Sequence, residues 1–359
     1  SIAYSNDNGT TFTKYQGNPV LKDDSATDFR DPKVMWHKPT SQWIMSLSTG
    51  RSASFYASKD LKKWEMLSSF EGGSQEGIWE CTDLFPLDYN GIKKWVLLTS
   101  ITEGQPNADC ATQYFIGDFD GKTFKADPLP YPLWVDYGCD NYAGVTWNDA
   151  PDNRTIFIGW MANHYYAYAT PSHNFRNAMT IPRDLKLVHN GKHLVLAGYP
   201  VKELENARAL SCKIDDMAIS DLYTVNKISK DNRGTYDIEF TVTPSSDKPF
   251  SFTLSNNHDE KLSFHFDRKA ETITVDRSKS GKTDFHPKFN IKPIVAPLSN
   301  KKQYAIRLLI DKASSELFIN EGETIQSNVI YPSSPYNTIE FDSGGGELKL
   351  TNMSVYDIK

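Results

Sequence analysis

The sequence predicts an all-β protein in which a β-propeller is followed by a β-sandwich. Three observations carry this: the first half repeats with a period of about fifty to sixty residues, each repeat consists of short strands and turns, and the pattern changes near Pro200. The composition agrees. Aromatic residues make up 13% of 359 residues, with 19 Pro and 21 Gly spread throughout, which suits a β-rich chain too long for one ordinary core.

Two registers define the repeat. Ser5-Asn6-Asp7-Asn8-Gly9 to Phe12, Ser58-Lys59-Asp60-Leu61 to Trp64, and Gly117-Asp118-Phe119-Asp120-Gly121 to Phe124 share one shape, a strand end, an acidic turn and an aromatic that opens the next strand. Trp43, Trp95 and Phe157 each open an apolar run after a polar turn. A unit of this length fits a propeller blade of four strands; a meander or sandwich with coincidental spacing is the alternative. Residues 1–200 are therefore expected to be propeller. Residues 201–210 read as a polar, weakly helical connector and 211–359 as an antiparallel sandwich, in which Ile238, Phe240 and Val242 alternate with Glu239 and Thr241.

Within the repeat, two acidic motifs stand at equivalent places, Phe29-Arg30-Asp31-Pro32 and Trp79-Glu80-Cys81-Thr82-Asp83, each opening a hairpin. In a propeller the innermost strands surround one axis, so Asp31, Glu80 to Asp83, and Asp136 to Asp140 are expected to line one acidic funnel, the last group on its rim. A carboxyl serving as general acid must be protonated near neutral pH. Trp79 and Cys81 are expected to desolvate Glu80, and Asp83 to add negative charge. The plainer readings are that Asp31 is a turn carboxylate before a proline, Cys81 a small buried residue, and Tyr142 and Trp160 core or wall aromatics.

Charge and cysteine usage exclude other classes. A net charge of −6 with no basic run argues against a nucleic-acid partner, and no apolar stretch approaches the roughly 20 residues of a membrane span. No charged-then-apolar leader opens at Ser1. Cys81, Cys110, Cys139 and Cys212 lack the close pairing of a zinc site and are too few for a disulfide scaffold, so no metal or cofactor is expected.

At Arg30-Asp31-Pro32, Glu80-Cys81 and Asp276-Arg277-Ser278 the sequence resembles glycoside hydrolase family 32, the β-fructosidases that include invertases, levanases and inulinases. Supporting stretches are Tyr15 to Val20, Asp136-Tyr137-Gly138 to Ala143, Gly159-Trp160-Met161 to Asn163, and Arg176 to Met179. The resemblance implies a five-bladed propeller with a sandwich, retaining hydrolysis of fructofuranosyl bonds in a fructose-containing oligo- or polysaccharide, and a secreted, periplasmic or cell-surface protein. By motif, Glu80 is the general acid/base and Asp31 the transition-state stabiliser. Arg30, Cys81, Trp160 and Tyr142 are implied as substrate contacts.

Two departures from the family pattern stand out. Thr82 occupies a position where most members carry proline, and the family's nucleophile motif of the Trp-Met-Asn-Asp-Pro-Asn-Gly type has no counterpart. The nearest look-alike, around Asp7, is already assigned to a turn. Ser1 matches a point late in a second blade, so the N-terminal blades are expected to be missing, and a partner chain or self-association is expected to complete the ring. A fructan-binding relative that does not cleave, and a related propeller hydrolase acting on arabinan-type substrates, are the competing readings.

Overall fold

The computed structural model describes residues 1–172, 174, 176–230, 233–290 and 292–359, and its regular structure is almost entirely strand. The chain forms two compact units. The first comprises Ser1–Gly104 with Thr112–Leu133, and the second Gln105–Ala111 with Trp134–Lys359.

The first unit holds two antiparallel meanders of four successive strands. One runs Arg30–His37, Gln42–Thr49, Ser52–Ser58, Glu65–Phe70, and the other Trp79–Tyr89, Ile92–Gln105, Asp109–Phe119, Phe124–Ala126. The central strands are covered on both faces, so they read as continuous apolar runs: Ile44 to Leu47 and Trp95 to Leu98 are buried without a break. Edge-to-face aromatics fasten the meanders together, with Phe70 against Phe115 at 4.9 Å and against Phe124 at 5.1 Å.

The acidic turns of the repeat have one physical job. Asp60 accepts the backbone N–H groups of Lys62 and Lys63, both at 2.9 Å, and Asp120 those of Lys122 and Thr123 at 2.8 and 2.7 Å. Asp7 does the same for Thr11 at 2.9 Å, and hydrogen bonds from the Ser5 hydroxyl first and then from Thr11 push its carboxyl down to about 2. A fourth copy escaped the acidic pattern because it uses an amide: Asn190 accepts from Lys192 and His193, both at 2.9 Å.

The second unit opens with a third meander, Tyr142–Thr146, Ile156–Met161, Arg183–His189, Leu194–Pro200. Where the sequence predicts a weakly helical connector, a 3₁₀ turn spans Lys202–Ala207. The sandwich beyond it packs a seven-stranded on a six-stranded sheet. Ile238, Phe240 and Val242 point into its core with Phe252, Phe264 and Phe341, as their alternation with Glu239 and Thr241 requires.

Asp136 and Asp140 are not rim acids. Both are buried, and together they cap the end strand of the seven-stranded sheet, Thr324–Val329, whose open edge would otherwise leave backbone groups unpaired. Asp136 accepts the N–H of Ser327 at 2.8 Å, Asp140 that of Val329 at 2.9 Å, and Cα of Gly138 lies so close to Ser327 that a Cβ there would collide with its backbone. Their charges are met by buried arginines: Arg183 bridges Asp136 at 2.9 Å and Glu316 at 2.7 Å, while Arg277 bridges Asp140 at 2.7 Å. Burial pushes the Asp140 and Glu316 carboxyls up, against the pull of those arginines.

Removing one partner of such a pair leaves the other charged and dry. Arg277→Met is expected to destabilise the chain by about 3–5 kcal/mol, read as a fall in the urea midpoint. An unchanged midpoint would show that Asp140 does not depend on this arginine.

Candidate active site

The leading strand of each meander carries the same irregularity. Its register slips between Arg30 and Lys33, between Glu80 and Asp83, and between Tyr142 and Val145, and in each bulge one residue adopts a left-handed backbone: Asp31 (φ 57°), Cys81 (φ 50°) and Ala143 (φ 53°). The bulges re-aim side chains at strand starts. The third member of the repeat is therefore Tyr142 to Val145, and the equivalence expected for Asp136 to Asp140 lies a few residues too early.

In the first unit the two bulges face each other in phase. The Arg30 guanidinium donates to Glu80 Oε1 at 3.1 Å, the Cys81 backbone N–H donates to Asp31 Oδ2 at 3.0 Å, and Lys33 bridges Asp83 at 3.4 Å. Each pair is separated by 50 residues, as the first two bonds show directly. Arg30 also pairs with Asp28, so one guanidinium is shared by two carboxylates. Deeper still, the Ser48 and Thr82 hydroxyls are 2.6 Å apart and the Ser46 hydroxyl donates to the Thr82 carbonyl at 3.1 Å.

The electrostatics differ from the sequence expectation. Trp79 is fully buried and stacks on Phe115, with ring centroids 5.9 Å apart, in the core rather than over Glu80. Asp83 is 1% exposed and is paired with Lys33, so it does not stand as a free negative charge beside Glu80. Glu80 faces Arg30 instead and keeps 24% of its side chain exposed. Burial works against the Arg30 charge, but its hydrogen bond to Glu80 and the charges of Asp28, Glu80 and Asp31 hold its pKa above the ordinary value. For Cys81, burial first and then Asp31 and Glu80 push the thiol up to about 12, and its sulfur sits 3.8 Å from Asp31 Oδ2.

Arg30, Asp31, Glu80 and Cys81 are thus brought together. Tyr142 and Trp160 belong to the second unit, where they face each other across two strands, Tyr142 buried and Trp160 half-buried, with the His164 ring 5.5 Å from Tyr142. Sequence reasoning passed over Asp28 and Lys33. Their signal was position, two residues before Arg30 and two after Asp31. Among the described residues no cluster of His, Cys, Asp and Glu could hold a metal ion.

Comparison with known proteins places this geometry. Residues 1–198 match the glycosyl hydrolases family 32 N-terminal domain and residues 203–357 the glycosyl hydrolases family 32 C terminal domain. The chain belongs to glycosyl hydrolase family 32. It is 38% identical to a levanase of Bacillus subtilis over 370 residues, covering all of this chain and 54% of that protein. To an extracellular exo-inulinase of Aspergillus awamori it is 31% identical, covering all of this chain and 71% of the relative. The chain spans about half the length of that levanase. In three dimensions it resembles the crystal structure of exo-inulinase from Aspergillus awamori, with a TM-score of 0.88 and 28% identity over 99% of this chain and 74% of the other. A β-fructofuranosidase from Schwanniomyces occidentalis, solved with fructosyl-erythritol, gives 0.84 and 25% over 99% and 75%. The family fold, blades followed by a sandwich, is the one described above.

Two outcomes follow for Cys81. With the thiol pushed up to about 12, its small thiolate fraction is still climbing at about pH 9, so iodoacetamide labelling of its peptide, followed by mass spectrometry, should be slow and show no plateau between about pH 7 and 10. A plateau in that range would mean that the thiol is already largely ionised there. Cys81→Val forces a β-branched residue into the left-handed region and is expected to cost about 1–3 kcal/mol, whereas Cys81→Gly relieves that backbone. Urea unfolding of the two variants separates backbone strain from loss of the sulfur.

Proposed function

We propose that the chain carries the acid-and-stabiliser half of a retaining β-fructosidase site acting on levan, inulin or sucrose. The observation that supports this best is the in-phase meeting of Arg30 with Glu80 and of Asp31 with the Cys81 backbone, in a chain of this family. Retention requires one carboxyl to protonate the leaving oxygen and later activate water, while another attacks the anomeric carbon. Glu80 takes the first role, its carboxyl partly exposed and oriented by Arg30. Asp31, fixed through the Cys81 N–H, accepts fructose hydroxyls, and its charge favours the positive anomeric centre of the transition state. The Arg30 guanidinium has donors left for a sugar hydroxyl, and the Cys81 thiol is a neutral wall.

Residues 1–200 make up the catalytic part, 201–210 the connector and 211–359 the sandwich. Tyr142 and Trp160 contribute aromatic surface for a sugar ring. The attacking carboxylate is assigned to no residue here, since Asp7 is occupied in its turn. A partner chain or self-association is one way for such a carboxylate to reach the site. Curated relatives include extracellular exo-inulinases, and a polymeric substrate calls for action outside the cell or at its surface.

Fructose release from levan, inulin and sucrose tests the reading. In a form of the protein that hydrolyses them, Glu80→Gln is expected to lower turnover by ~10² to 10⁴-fold, the usual share of general acid catalysis, with the fold kept. Unchanged hydrolysis would remove Glu80 from the mechanism. Binding of levan without fructose release, in a form that also supplies an attacking carboxylate, would favour the non-cleaving relative.

A further inference from the structure

The second unit carries a cavity that none of the roles above uses. It has a volume of about 530 Å³, within the roughly 300–1,000 Å³ of small-ligand sites. Met161 and Tyr331 supply its apolar wall, and Ser172, Asn177, Lys282 and Lys312 are among its polar groups. A smaller depression of about 240 Å³, bordered by Arg233 and Pro335, shares Asp311, Lys312 and Pro332 with it, so the two form one trough.

Three features suit a polyhydroxylated chain. The Tyr331 ring is pre-set: Phe285 packs edge-on at 5.4 Å and Phe289 lies at 6.1 Å. A rigid aromatic plate offers stacking area with little entropy to lose. Its lining includes both donors and acceptors, Lys282 and Lys312 with Asn177 and Asp311, as sugar hydroxyls, which both give and take hydrogen bonds, require. The Ser172 hydroxyl is buried without a hydrogen-bond partner, a cost that a ligand hydroxyl would remove.

We propose that this trough is an ancillary site for a neutral polysaccharide, a stretch of the fructan chain itself, remote in sequence from Arg30, Asp31 and Glu80. The assignment of fructan rests on the function proposed above; the trough as a site for a polyhydroxylated polymer does not.

Native electrophoresis of the 359-residue chain in gels cast with levan or inulin tests it. Levan is expected to retard the chain. Tyr331→Ala should weaken the retardation at least five-fold, and Lys312→Ala and Asn177→Ala, both changes at accessible side chains, at least two-fold each. Arg30→Ala should leave most of it in place. Should Tyr331→Ala fail to fold by circular dichroism, the two other variants decide. Equal retardation of parent and trough variants would overturn the proposal, as would no retardation of the parent. So would retardation only by dextran sulfate that disappears in roughly 1 M salt, the mark of a screened anion site. Retardation together with hydrolysis left unchanged by Glu80→Gln would sink the catalytic reading and leave the trough standing; fructose release without retardation would do the reverse.

Discussion

Arg30 can reach Glu80 only because both leading strands break their register at the same point. A regular strand would alternate Arg30 and Asp31 to opposite faces, and Glu80 and Cys81 likewise. The left-handed residue in each bulge turns the strand so that three successive polar pairs, Arg30 with Glu80, Asp31 with the Cys81 N–H and Lys33 with Asp83, form at one common offset. Each pair constrains the next. If the second strand slid by one residue, all three would be lost and Asp83, almost fully buried, would lose the Lys33 charge. The backbone strain at Asp31 and Cys81, of order 1–3 kcal/mol each, is held in place by the bonds it makes possible.

Much of this was legible in the sequence because the repeat is physical. Short strands of apolar runs, acidic turns that cap their own amides and a change of period near Pro200 gave the blades, the connector and the sandwich. The two motifs were found because a bulge with a carboxylate reads as a polar break before an apolar run. The third copy was misplaced because its bulge carries Tyr142 and Ala143, which leave no polar mark, while the nearby Asp136 and Asp140 do. Nor could sequence show that Asp83 faces Lys33. That follows from which residues share a face of two strands fifty residues apart, a matter of register and twist rather than of composition.

Asp136 and Asp140 show why acidity alone misleads. An exposed carboxylate cluster and a buried one have the same letters, and what separates them is the supply of partners. Here the supply lies far along the chain, in Arg183, Arg277 and the backbone of Ser327 and Val329. The end strand of a sheet needs its outer backbone groups satisfied, and the segment around Gly138 satisfies them with two aspartate carboxylates and with the backbone N–H groups of Tyr137 and Asp140. The same bonds tie the third meander to the sandwich within one unit. That explains why Asp276-Arg277-Ser278, far from any chemistry in the sequence, belongs among the motifs that mark the chain.

Thr82 can be understood in the same terms. Its carbonyl accepts the Ser46 hydroxyl, a bond any residue could make, but its side-chain hydroxyl meets that of Ser48 at 2.6 Å, with both residues fully buried. A proline at this position would offer Ser48 nothing, and a buried hydroxyl left without its partner costs about 1–3 kcal/mol. Thr82 and Ser48 therefore act as a pair, one from each leading hairpin of the first unit. Both hydroxyls lie on fully buried residues, whereas the Glu80 carboxyl is partly exposed and faces Arg30. Exchanging proline for threonine thus changes what holds the strand against its neighbour and leaves unchanged what the strand presents to Arg30 and Asp31.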